Sequence, residues 1–149
     1  MTNILVLGIG NILLGDEGVG VHAVRQLERE NLPEHVTCLD GGTGGLILLE
    51  PMQNADKVII IDATLDGGAP GTVRRLQPRF SNDYPKALTA HDIGLKDMLD
   101  AFYLTKKIPE VVLFAVTVKN IDEVTLELSA EVEKVLPVIL RLVKDELVV

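Results

Sequence analysis

The stretch ILVLGIGNILLGDEGVG at residues 4–20 decides the fold class of this chain. It begins with an unbroken apolar run, turns at glycines, and continues with apolar residues spaced along one helix face, which predicts a helix over residues 18–30. Two further runs, VIIID at 58–62 and VVLFAVTV at 111–118, are equally apolar. Unbroken runs of Val, Ile and Leu are typical of strands in a parallel sheet that is covered on both faces.

The rest of the chain continues the alternation of strands and helices. Weaker patterns predict a strand at 35–40, a short helix at 46–52 that contains Pro51, a polar edge strand at 72–76, a helix from 91 to about 105, and a helix that Ser129 caps and Pro137 bends. This alternation predicts an α/β fold, with a twisted, mostly parallel sheet sandwiched between helices. The length of 149 residues predicts a single domain, residues 1–149.

Composition argues against several classes of function. The net charge of −8, from 14 basic and 22 acidic residues, disfavours nucleic acid as a partner and favours a basic protein segment. No apolar run is long enough for a membrane span, and the N-terminal MTNILVLG lacks the features of a secretory signal. The single cysteine, Cys38, excludes an internal disulfide and is consistent with a cytoplasmic location.

Three residues predict a metal site. Glu17 follows the first strand, Asp62 closes the run at 58–62, and His91 directly precedes a predicted helix. Ligands of an open α/β sheet gather beyond the carboxyl ends of its strands, so we expect these side chains to converge there. Carboxylate oxygens and an imidazole suit a divalent ion such as zinc or nickel. The neighbouring Asp16 is adequately explained by helix capping.

The sequence DGGTGG at 40–45 predicts a groove beside this site. A plain turn requires one or two glycines, whereas this loop has four in six residues. We therefore expect Gly41, Gly42 and Thr43 to admit an extended peptide. Asp40, at the end of the second strand, is placed to polarise a water or to orient that peptide, although a turn residue is the simpler interpretation.

GIGN at 8–11 leaves a different function open, the binding of a nucleotide or a phosphate. A dinucleotide-binding fingerprint would have a glycine where this chain has Leu13, and there is no Gly-Lys-Ser/Thr phosphate loop. A tight turn between strand and helix accounts for Gly8 and Gly10 about as well. Common protease nucleophiles lack support, because no serine lies in a nucleophile elbow and Cys38 has no evident histidine partner.

The motifs GNILLGDEGVG, DGGTGG, VIIIDA and AHDIGL, in this order and spacing, resemble the hydrogenase maturation endopeptidases. These enzymes remove the C-terminal tail of the large-subunit precursor of a nickel-iron hydrogenase. The resemblance implies a mainly parallel sheet between helices, and divalent-ion binding by Glu17, Asp62 and His91. It also links the Asp-Gly-Gly-Thr loop at residues 40–43 to cleavage, with Asp40 as the catalytic residue.

The resemblance further implies that nickel arrives with the precursor and serves as the recognition element, while zinc or cadmium can also occupy the site. The partner is then the hydrogenase large-subunit precursor, with no nucleic acid and no membrane span. Two other functions stay open: a nucleotide- or phosphate-binding domain, and a checkpoint that senses nickel without cutting. Whether Asp40 or a metal-polarised water performs the chemistry is open as well.

Overall fold

The computed structural model describes residues 2–43, 45–78, 109–119 and 121–148. The strands of these residues are β1 (Ile4–Ile9), β2 (Val36–Gly42), β3 (Lys57–Thr64), β4 (Val73–Leu76) and β5 (Glu110–Thr117). The helices are α1 (Val19–Glu28), α2 (Leu49–Gln53) and α3 (Ala130–Asp145), and 3-10 turns occur at Gly15–Gly18 and Gly45–Leu48. Each observed element lies close to a predicted one. The helix predicted from 91 to 105 lies outside the described residues.

The strands form one sheet in the order β2–β1–β3–β5–β4. β1, β2, β3 and β5 are mutually parallel, and only β4 runs antiparallel, at the edge beside β5. This order confirms the mostly parallel α/β sheet and the edge position of the polar strand. It makes β3 the central strand, so that residues at its carboxyl end have neighbours on both sides.

Helices cover both faces of the sheet, because side chains alternate between the faces along each strand. In β3, Ile59 and Ile61 belong to the core cluster that includes α1 and α3, whereas Val58 and Ile60 belong to the cluster that includes α2. Burying each such side chain stabilises the fold by about 1.5–3 kcal/mol. The same alternation places Asp62 on the face of Ile60.

Close packing explains the glycines of GIGN. A Cβ atom on Gly8 would lie 2.3 Å from the carbonyl oxygen of Gly20 in α1. A Cβ atom on Gly10 would lie 1.9 Å from the carbonyl oxygen of Glu17, and Gly10 has a φ of +139°. Both glycines therefore allow the turn after β1 to fold back against its own helix, as the simpler interpretation of GIGN predicts.

The C-terminal helix α3 continues to Asp145 with Pro137 inside it. Ser129 occupies the predicted N-cap position, but its side chain makes no capping hydrogen bond to α3. The capping role predicted for Ser129 is therefore wrong, because its hydroxyl donates a hydrogen bond to Asp16 instead. Within the described ranges, none of the helices combines the length and apolar character needed to cross a bilayer.

Candidate functional site

Two of the three predicted metal ligands lie buried at the carboxyl end of the sheet. Glu17 is 8% exposed in the 3-10 turn after β1, and this turn packs against β3. Asp62 is fully buried near the end of β3, where it faces Ala115 of β5 in the strand register. The Oδ1 atom of Asp62 accepts a hydrogen bond of 2.8 Å from the backbone N–H of Ala63. His91 lies outside the described residues.

A third buried carboxylate, Asp16, has a structural role. Its oxygens accept hydrogen bonds from the backbone N–H of Lys119 at 3.0 Å, and from the N–H and Oγ of Ser129 at 2.7 and 2.8 Å. Asp16 thus joins the turn after β1 to the start of α3, a role that goes beyond the helix capping that the sequence predicts. The partners lie more than 100 residues away, so no local sequence pattern reveals them.

The donor chemistry of Glu17 and Asp62 fits a divalent cation. Burying a carboxylate is costly unless it is hydrogen-bonded, paired or bound to a metal, and this end of the sheet holds three of them. Across residues 2–43, 45–78, 109–119 and 121–148, no group of three His, Cys, Asp or Glu side chains is arranged to hold a metal ion. The predicted set requires His91 as its third ligand, so convergence of the three residues stays a prediction.

The predicted peptide groove corresponds to a cleft of about 310 Å³ between two loops. Asp40, Gly42 and Thr43 line one side, and residues 10–13 line the other, together with Val21. Gly41 is buried beneath, where a Cβ atom would lie 2.9 Å from the side chain of Leu7. Since Gly10 also touches the backbone of Glu17, the cleft adjoins the turn that carries the predicted metal ligand.

Asp40 has a turn role that the structure makes explicit. Its Oδ1 atom accepts a hydrogen bond of 3.0 Å from the N–H of Gly42, which has the left-handed φ of +50°. Its Oδ2 atom pairs at 3.4 Å with Arg25 of α1, and the Asp40 side chain is 37% exposed. The carboxylate is therefore accessible to a peptide or a water in the cleft. Arg25, which the sequence did not single out, is its neighbouring cation.

Other candidate nucleophiles are poorly suited to attack. Cys38 is half-buried in β2, and burial raises the pKa of its thiol to about 11, so the thiolate is scarce at neutral pH. The hydroxyl of Ser129 is engaged with Asp16. Within the described ranges, the exposed Asp40 carboxylate is thus the best candidate for a catalytic group in the cleft.

Residues 21–146 match the family model described as hydrogenase maturation protease. The chain belongs to this family of peptide-bond hydrolases. It is 45% identical over 114 residues to the hydrogenase 2 maturation protease of Escherichia coli K12, covering 72% of this chain and 67% of that protein. Identity to the hydrogenase expression/formation protein HupD of Bradyrhizobium diazoefficiens is 41% over 112 residues, covering 72% of this chain and 57% of that protein.

Solved structures extend the similarity to nearly the whole chain. The Escherichia coli hydrogenase maturating endopeptidase HybD has a TM-score of 0.90 at 38% identity, covering 97% of this chain and 91% of that one. The nickel-iron hydrogenase maturation protease HybD of Thermococcus kodakarensis has a TM-score of 0.82 at 27% identity, covering 98% and 99%. The range that matches the family model spans positions 40 and 62, whereas Glu17 precedes it.

Proposed function

We propose that this chain is an endopeptidase that removes the C-terminal tail of the nickel-loaded large-subunit precursor of a nickel-iron hydrogenase. The observation that carries the proposal is the position of the buried Glu17 and Asp62 at the end of the sheet that also holds the Asp40 cleft. Family membership and the solved relatives support the same activity.

Nickel is proposed as cargo of the precursor, recognised by Glu17, Asp62 and His91. Three oxygen and nitrogen ligands leave coordination positions open for groups of the precursor, so the site is complete only when nickel and precursor are both present. Bound nickel would fix the precursor in register with the cleft. Zinc or cadmium suits the same donors, and we place the activity in the cytoplasm.

Asp40 is proposed as the general base. Its carboxylate takes a proton from a water molecule while the water oxygen attacks the scissile carbonyl carbon, and the proton then passes to the leaving amine as the C–N bond breaks. Gly42 and Thr43 border the cleft opposite residues 10–13, where an extended peptide can lie against them. Gly41 shapes this surface by packing beneath it.

The decisive experiment compares nickel-loaded and nickel-free precursor by mass spectrometry after incubation with the chain. We expect loss of the C-terminal tail only from the loaded form. Calorimetry should also show tighter binding of the loaded precursor, because the coupling between nickel and precursor is reciprocal. Binding without any mass change would establish a non-catalytic checkpoint instead. Equal affinity for both forms would exclude nickel recognition by these residues.

A further inference from the structure

Three exposed aliphatic residues form a surface beside the cleft, which we name the apolar rim: Leu13, Val124 and Leu126. They are 54%, 79% and 58% exposed, respectively. A parallel bridge between Leu14 and Thr125 brings their two segments side by side. The bridge therefore holds the three exposed aliphatic residues that flank it close to one another. Leu13 also lines the cleft, so the rim and the cleft are continuous.

The segment that carries Val124 and Leu126 is held firmly in place. The N–H of Thr125 donates to the carbonyl of Leu13 at 2.9 Å, and the N–H of Gly15 donates to the carbonyl of Thr125 at 2.9 Å. The rim is thus ordered before any partner binds, which lowers the entropic cost of association.

Charges around the rim indicate the chemistry of its partner. The exposed acid Glu127 lies on the same short segment as Val124 and Leu126. The whole chain carries a net charge of −8. A complementary segment would therefore present aliphatic side chains flanked by lysine or arginine, since opposite potentials attract across an interface.

We propose that the apolar rim docks an aliphatic segment of the hydrogenase large-subunit precursor, flanked by basic residues and separate from its nickel site and its scissile bond. The proposal rests on the proposed function, because the precursor is the polypeptide expected in the adjoining cleft. Docking on both surfaces would link recognition of the folded precursor to placement of its tail. It would also explain why aliphatic side chains are exposed on the hydrogen-bonded segment that carries Val124 and Leu126.

The test is the double variant Val124→Ser with Leu126→Ser, compared with Val148→Ser. Val148 is 81% exposed, slightly more than Val124, but it lies close to Glu146, which contacts Lys57 at the opposite end of the sheet. Calorimetry with the purified nickel-loaded precursor should show about tenfold weaker binding for the double variant, and a change within about twofold for the control. The KM for processing should rise in parallel while kcat is unchanged, because only uniform binding is lost.

A charge variant gives a second measurement. Glu127→Lys should weaken precursor binding, and wild-type affinity should fall as ionic strength rises. Unchanged affinity of the double variant would overturn the proposal, as would a rim-dependent change in the chain's own oligomeric state by sedimentation. Rim-dependent binding without cleavage would support docking and reject the protease. Nickel-dependent cleavage, with an affinity that the rim substitutions leave unchanged, would support the protease and reject docking at the rim.

Discussion

The two ends of the sheet differ in how their charged side chains are placed: ion pairs at the amino end are partly buried, whereas carboxylates at the carboxyl end are fully or nearly fully buried. At the amino end, the Glu146 carboxylate pairs with Lys57 at 2.9 Å and with Arg75, so opposite charges neutralise one another. At the carboxyl end, Asp16, Glu17 and Asp62 are all buried, and the hydrogen-bond donors to Asp16 include backbone N–H and hydroxyl groups. The ion pairs at the amino end hold the fold together, whereas the three buried carboxylates at the carboxyl end include both predicted metal ligands that the structure describes.

The largest effect at the carboxyl end is expected from substitutions of Asp40, which test its role as the general base. Asp40→Asn keeps an oxygen that can accept the Gly42 N–H but removes the base, whereas Asp40→Ala removes both. If Asp40 is the base, both variants should lose about 10²- to 10⁴-fold in processing rate, measured by precursor mass over time. Circular dichroism should show an intact fold, because Asp40 is partly exposed.

The same two variants would also show if Asp40 is not the general base. A processing rate close to wild type in Asp40→Asn, with a reduced rate in Asp40→Ala, would show that Asp40 serves only the turn at Gly42. Unchanged rates in both variants would remove Asp40 from the mechanism altogether.

The second prediction concerns stability. Asp16→Ala should lower the free energy of unfolding by about 3 kcal/mol, because it removes a fully buried carboxylate and leaves the N–H groups of Lys119 and Ser129 without their acceptor. Asp66→Ala is the control, since Asp66 also accepts hydrogen bonds from Gly68 and Thr117 but its side chain is 23% exposed. Urea unfolding measures both variants. A loss in Asp16→Ala no larger than in Asp66→Ala would contradict the bridging role.

Asp16 also shows what the sequence could and could not predict. Strands such as β3 follow from local apolar runs, and the position of Asp62 at a carboxyl end follows from parallel topology. The partners of Asp16 could not be predicted, because the fold brings Lys119 and Ser129 to it from more than 100 residues away. Local pattern predicted a helix-capping role for Asp16 and gave no sign of these distant partners.

The cleft was predicted only in part, because one of its sides follows from a local pattern and the other depends on long-range packing. Excess glycine at 40–45 indicated a loop without bulky side chains, and Asp40, Gly42 and Thr43 do line a cleft. Its opposite side, residues 10–13, depends on how β1 and β2 pair, which fixes where the two loops meet. The pairing of Asp40 with Arg25 likewise requires the packing of α1 against the sheet.

The third prediction tests metal binding at the carboxyl end. Glu17→Gln keeps the side-chain shape but removes the charge, so nickel affinity should fall by about tenfold in a calorimetric titration. His22→Gln is a demanding control, because a neutral His22 imidazole is itself able to bind a metal. Burial lowers the pKa of His22, and the positive charge of Arg25 lowers it further, so the neutral form is favoured. Equal losses in the two variants would count against Glu17 as a ligand.

The smallest effect is expected at the amino end and depends on pH. The hydrogen bond from Arg75, opposed by burial and helped by Lys57, lowers the pKa of Glu146 from its ordinary value of 4.5. Because the folded pKa is below the unfolded one, this stabilisation is present at neutral pH and is lost as the pH falls below 4.5. Glu146→Gln should therefore cost about 1 kcal/mol at neutral pH and progressively less in acid. Asp145→Asn, an exposed neighbour in α3, should unfold like wild type at each pH. A constant difference between Glu146→Gln and wild type across the pH series would show that shape, rather than charge, holds Glu146 in place.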